Sequence, residues 1–250
     1  MSLLARLSEL NTTGERGVLF TIVEGEGIGA KELVLESGEH VGGGVPAEAM
    51  VEFDDLVRRG RNRLLALDGG TRVFAEWYGP PPRIFVYGAV DTAESLCRAA
   101  KLLGWTTIVG DARGMFLTPE RMPSADVLIQ KWPEEAVAEL APDNQTAVVV
   151  LTHDDKFDEP ALKAALASEA FYVGALGSRK TTERRRGRLL EAGVSEEQLA
   201  RIMGPCGLDI GADTQEETAV AILAEIVAVR SGRGGGPLRE SKNRIHVEVA

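Results

Sequence analysis

The sequence is poor in the residues that most quickly narrow a protein's chemistry. Two cysteines, Cys97 and Cys206, in 250 residues do not suggest a disulfide framework, which fits a reducing compartment. The chain has three histidines, and no Cys/His spacing in it resembles a zinc site. No apolar run approaches the roughly 18 residues that a membrane helix needs. The opening Met1-Ser2-Leu3-Leu4-Ala5-Arg6 lacks a basic segment followed by an apolar one, so no signal peptide is read there and a cytoplasmic location is expected. Cationic excess is also missing. With 28 Lys+Arg against 38 Asp+Glu the formal charge is −10, which argues against wholesale binding of nucleic acid or anionic membrane. There is no G-x-S-x-G element. What remains is an ordinary globular composition, 44% apolar and 26% charged, long enough for one large domain or two modest ones.

The run Tyr78-Gly79-Pro80-Pro81-Pro82 interrupts regular structure and divides the chain. Before it, over 1–78, the pattern predicts a small α+β domain. Its strands are at Gly17–Val23 and Lys31–Glu36, a helix spans Glu48–Arg59, and a hairpin joins Arg63–Leu67 to Arg72–Glu76 across Asp68-Gly69-Gly70. Over 79–230 short apolar runs alternate with helical segments. Strands are expected at Ile84–Tyr87, Thr106–Val109, Asp126–Ile129, Thr146–Leu151 and Ala170–Val173, with helices at Thr92–Leu103, Pro133–Leu140 and Pro160–Ala167. The fold class expected is α/β, a Rossmann-like parallel sheet with helices on both faces. A last helix should start near Thr214, with Glu217 completing a capping box. The stretch 231–250 reads as a flexible C-terminal tail.

Ligands of open parallel sheets bind beyond the carboxyl ends of the strands, so four loops carry the functional reading. In the first, Gly88-Ala89-Val90-Asp91-Thr92-Ala93 stands where a dinucleotide-binding loop belongs. Gly88 can make the turn, but the β-branched Val90 obstructs the approach of a pyrophosphate. Asp111 falls where an acid would bind a ribose hydroxyl. The second loop holds His153 and Asp154 within Thr152-His153-Asp154-Asp155-Lys156-Phe157-Asp158. This is either a site, with the aspartates orienting the histidine or holding a metal, or a capping loop. The third is Gly177-Ser178-Arg179-Lys180, a glycine turn feeding a helix, apt for an anion. Arg184–Arg188 beyond it read as a solvated basic face. The fourth, Gly204-Pro205-Cys206-Gly207-Leu208-Asp209-Ile210-Gly211-Ala212, presents Asp209 and a thiol. Cys206 is either a reactive nucleophile with a depressed pKa or a small half-buried residue, whereas Cys97 lies on an apolar stripe and should be buried.

Together the segments Thr152-His153-Asp154, 172–179, 204–212 and the helix 216–226 resemble the XdhC/CoxI family, accessory proteins for xanthine dehydrogenase and carbon monoxide dehydrogenase. The resemblance covers 83–230, with a looser likeness at Ile28-Gly29-Ala30-Lys31 and Gly42-Gly43-Gly44. It implies a chaperone that binds the molybdenum cofactor, molybdopterin or its dinucleotide form, as cargo and delivers it in sulfurated form to an apo molybdenum dehydrogenase. The candidate cofactor-binding residues, from the loop reading and the resemblance together, are Gly88, Asp111, His153, Asp154, Gly177, Ser178, Arg179, Gly207 and Asp209. No catalytic residue or resident metal is assigned, and whether the protein is itself an enzyme stays open. A cysteine desulfurase and a second copy of the chain are further partners to test, and tight NAD or NADP binding is not expected. Family members usually read Gly-Ala-Gly-His in the first loop, where Val90 and Asp91 fill the last two places here. Cys206 replaces an aliphatic residue, and Asp68-Gly69-Gly70 stands for a Cys-Gly-Gly. The alternatives are a nicotinamide-dependent oxidoreductase, or a degenerate partner protein that binds only the client.

Overall fold

The computed structural model describes residues 2–242, apart from the side chain of Asn11. Contacts divide the chain into two compact units, Met1–Pro81 joined by the stretch that begins at Gly236, and Pro82–Gly235.

In the first unit β1 (Gly17–Glu24) is central because it is buried along most of its length. It pairs antiparallel with β2 (Lys31–Leu35) and with β5 (Arg72–Tyr78). Outside these lie β3 (His40–Gly43) and β4 (Arg63–Ala66), giving the order β3-β2-β1-β5-β4. Alternation along the strands serves two faces. Leu19, Leu33 and Leu35 pack with Leu10 of α1 (Leu3–Thr13), while Val18, Phe20, Ile22 and Val34 meet Leu56 and Val57 of α3 (Phe53–Arg59). The expected helix over 48–59 is two pieces, because α2 (Ala47–Met50) ends before α3 begins. The expected hairpin is present, with Leu64 opposite Phe74 and Leu65 opposite Val73.

The second unit is a six-stranded parallel sheet. In chain order its strands are β6 (Arg83–Tyr87), β7 (Thr106–Gly110), β8 (Val127–Ile129), β9 (Thr146–Val150), β10 (Tyr172–Ala175) and β11 (Ile202–Met203). Their spatial order is β11-β10-β9-β6-β7-β8, so the chain reverses direction across the sheet between β6 and β9. That is the doubly wound dinucleotide-binding order, with its switch point at the β6/β9 junction. Ile84 and Val86 point to one face, with Leu96 of α4 (Asp91–Lys101) and Ile222 of α9 (Gln215–Arg230). Phe85 and Tyr87 point to the other, with α5 (Pro133–Leu140), α6 (Asp155–Leu166), Leu189 of α7 (Arg179–Glu191) and Leu199 of α8 (Glu196–Leu199). The Rossmann-like expectation thus holds, and so does the capping box of Thr214 and Glu217 that starts α9. Helix α6 begins well before Pro160, because Asp154 caps it by accepting from the Lys156 amide. Part of the expected tail, 243–250, lies outside the described residues, and Leu238–Glu240 forms a short 3-10 turn. Among the described residues no helix is long and apolar enough to cross a membrane.

Candidate functional site

All four loops leave the carboxyl edge of this sheet. The first is locked from beneath. Gly88 adopts φ +116°, and a Cβ on it would lie 2.9 Å from the Thr152 amide nitrogen, so only glycine fits. Asp111 is buried at the end of β7 with both carboxylate oxygens engaged. Oδ2 accepts from the Ala89 amide and from Arg113 Nη2, each at 2.9 Å, while Oδ1 accepts from the Arg113 amide and Nε. Burial alone would push this carboxyl up, but the Arg113 guanidinium and the two amides hold it below the usual carboxylate range. Val90 stands at the N-cap of α4 without a capping side chain, and Asp91 and Glu94 follow in the first turn.

The second and third loops are joined underground. Thr152 Oγ1 donates to Asp158 Oδ1, and Asp158 Oδ2 pairs with Arg185 Nη2 at 2.9 Å. The same Nη2 donates to the Leu176 carbonyl at 3.0 Å, at the turn that leaves β10. Arg185 is 2% exposed, so it is no part of a solvated face, as the run Arg184–Arg188 suggested. The correction has a helical reason. Ser178, Thr182, Arg185 and Leu189 follow i, i+4, i+7, i+11 spacing, and Leu189 is core. The aspartates beside His153 likewise serve other partners. Asp154 caps α6, Asp155 pairs with Arg184 and Arg188, and Asp158 holds Arg185. None of them orients His153. That side chain is exposed, on a left-handed backbone at φ +59° that non-glycine residues seldom adopt. Among the described residues no group of three or more His, Cys, Asp or Glu is arranged to hold a metal.

The N-terminal turn of α7 differs from every other helix of its unit. Helices α4, α5, α6, α8 and α9 each carry acids in the first turn, and α7 carries none. Ser178 caps it, accepting from the Thr181 amide at 3.1 Å. Arg179 and Lys180 follow, both exposed and neither paired with a carboxylate among the described residues, whereas Arg184, Arg185, Arg186 and Arg188 are all paired. Two uncompensated cations thus sit at the positive end of a helix dipole, where they repel it and each other.

In the fourth loop Gly207, at φ +108°, lies against α9, where a Cβ would approach Ala221 Cβ to 3.3 Å. Its amide donates to Glu225 Oε2 at 3.0 Å. The Ile210 amide donates to the Leu208 carbonyl at 2.9 Å, a three-residue turn with the exposed Asp209 at its tip. Cys206 corrects the reactive-thiol reading. It is 8% exposed, its amide is tied to the Ala175 carbonyl at 3.1 Å, and burial together with the Glu225 charge pushes the thiol up to about 12. Cys97 is buried in the core as expected.

Of the residues singled out from sequence, Ser178, Arg179, His153, Asp154 and Asp209 are exposed on the loops that follow β9, β10 and β11, which are neighbours in the sheet. Gly88, Gly177 and Gly207 shape the turns, and Asp111 supports the first loop. Thr152, Asp158, Arg185 and Arg113 hold these loops, and no local pattern marks them for that part.

A family model described as the XdhC Rossmann domain matches residues 84–226. The chain is 33% identical over 171 residues to an uncharacterised protein, YqeB, of Escherichia coli, covering 67% of this chain and 31% of that protein. It is 32% identical to a probable subunit of xanthine dehydrogenase from Bacillus subtilis, covering 65% of this chain and 47% of the relative. Identity is 30% to the molybdenum cofactor insertion chaperone PaoD of Escherichia coli, over 63% and 43% respectively. The chain therefore aligns with less than half the length of these relatives. A crystal structure of a xanthine dehydrogenase from Bacillus halodurans matches with a TM-score of 0.56 and 19% identity over 97% of this chain and 98% of that one, a likeness of fold.

Proposed function

This chain belongs to the XdhC family, and we propose that it is an accessory protein that binds the molybdenum cofactor as cargo and inserts it into a dehydrogenase of the xanthine or carbon monoxide dehydrogenase type. The names of two relatives, one a cofactor insertion chaperone and the other part of a probable xanthine dehydrogenase, support the reading. The observation that carries it is the N-terminus of α7. Arg179 and Lys180 stand there without counter-charge, next to helix amides that lack intrahelical acceptors. A phosphate supplies what this turn lacks, accepting from the amides and neutralising both cations. The cargo is a phosphorylated pterin, so its phosphate fits this donor set. The loops of His153 and Asp209 begin on β9 and β11, either side of β10 and about 10 Å apart at two strand spacings. In this reading they face the rest of the cofactor, and the protein performs no turnover of its own.

The test is activation of an apo molybdenum dehydrogenase by the purified chain loaded with cofactor. Arg179→Ala should weaken cofactor capture by about 1.5–3 kcal/mol, the range for hydrogen bonds to charged groups, and lower activation accordingly. Arg186→Ala, whose guanidinium pairs with Glu196 on the surface, should activate like the parent protein. Equal losses from both would mean that a diffuse basic patch, and not the α7 turn, binds the cargo.

A further inference from the structure

The carboxyl edge carries a second feature that the anion site does not use. Aromatic residues are only 5% of the chain, yet three of them meet cations in a continuous row beyond β7, β8 and β9. The Lys156 ammonium lies 4.9 Å from the centroid of Trp132, and that ring lies 5.3 Å from Phe157, tilted by 39°. Arg113 then stands over Phe157 at 5.3 Å and over Phe116 at 4.8 Å, and Arg121 stands over Phe116 at 5.3 Å. Lys156 also lies 5.7 Å from the Phe157 centroid, and Arg230 over Trp105 is the one such pair outside the row among the described residues.

Packing accounts for Phe157, which is buried, but not for Trp132, which keeps 45% of its surface exposed at the turn into α5. Met115 beside Phe116 is 78% exposed, a soft and adaptable neighbour. Arg113 is committed to Asp111 and Arg121 to Asp91, but Lys156 has no carboxylate partner among the described residues. An open indole beside an uncompensated ammonium suits one ligand chemistry, a flat electron-rich ring attached to an anion.

We propose that Trp132 and Lys156 form the platform on which a planar heteroaromatic ring bearing a phosphate stacks, with Trp132 giving the face and Lys156 the charge. The inference rests on the cofactor-cargo reading for its physiological ligand, which in its dinucleotide form has such a ring at each end. It lies beyond β8 and β9 whereas α7 follows β10, which gives the two ends of an extended ligand two places on one edge.

The full chain would be titrated with CMP, GMP and pterin-6-carboxylate, followed by tryptophan fluorescence and calorimetry. Saturable quenching is expected from at least one ring-bearing anion and none from inorganic phosphate. Trp132→Leu should abolish the quenching and weaken binding by between about fivefold and a hundredfold, the span of one base–aromatic stack. Lys156→Gln, an exposed change that leaves the fold intact, should weaken binding at low salt, with the difference shrinking as salt is raised. Preference for a nucleotide assigns the platform to the nucleotide end of the cargo, and preference for the pterin assigns it to the other end. The proposal is overturned if no probe quenches Trp132, or if both variants bind like the parent. A protein that carries pterin and molybdenum and keeps them in both variants would defeat this inference alone. Quenching through Trp132 in a protein that never carries pterin would defeat the functional reading alone.

Discussion

Arg185 keeps its charge in the interior because Asp158 is there to meet it. Removing one member of a buried pair leaves the other uncompensated, which costs about 3–5 kcal/mol. Arg185→Met should therefore lower the urea midpoint sharply. Adding Asp158→Asn, which removes the stranded charge yet keeps an acceptor for Thr152, should recover much of the loss. A single variant as stable as the parent would show that the pair does not hold the loops together. The expected helix begins at Pro160 and leaves Asp158 in the loop before it, so this pair is not legible from sequence. Asp158 shares a face of α6 with Ala161, Leu162 and Ala165, all buried, and a carboxylate on an apolar stripe needs a cation. Which cation, 27 positions away in the chain, is a matter of how α6 and α7 pack, and no local pattern carries that. Cys206 teaches the converse. Its glycine-rich loop left a reactive thiol and a half-buried residue both open, and the loop lies on α9 and buries the thiol. With that thiol pushed up to about 12, the folded protein should react with a thiol reagent at neutral pH only as fast as it unfolds. Labelling of Cys206 at the rate of a free thiol would contradict the burial.

At the level of elements, the helix N-termini that follow β6 and β10 are treated oppositely by their sequences. In α4 the amide of Ala89 is taken by Asp111, Val90 fills the cap, and Asp91 adds a negative charge where a pyrophosphate would lie. In α7 the cap is a serine and the next two residues are cations. Calorimetry should accordingly find no low-micromolar affinity for NAD or NADP in the parent chain, and a clear gain in Val90→Gly/Asp91→Asn. Tight binding by the parent would restore the oxidoreductase reading. The elements themselves were legible where periodicity was strong, as at Pro133–Leu140, which matches α5 residue for residue. Helix α6 starts earlier than the sequence pattern predicts, because proline is favoured at the first helical position and Pro160 looks like a start. Here Pro160 sits inside the helix, and the cap at Asp154 sets the start. Strand β3 escaped notice because two of its four residues are glycines, which read as turn. The short β11 follows no apolar run and exists only through its pairing with β10.

For the molecule as a whole, the proposed role is that of a carrier, a Rossmann fold whose nucleotide loop is closed by its own side chains and whose proposed anion site is at α7. A carrier differs from an enzyme in what it holds when purified, since its ligand is cargo and not a turnover substrate. The most direct measurement is therefore the pterin and molybdenum content of the full chain, isolated under reducing, anaerobic conditions from a host that makes the cofactor. A carrier should show pterin absorbance with molybdenum in near-equal molar amount, both depleted in Arg179→Ala and retained in Arg186→Ala. A protein of full stability that emerges with neither pterin nor molybdenum, and takes up neither when the cofactor is supplied, would contradict that role.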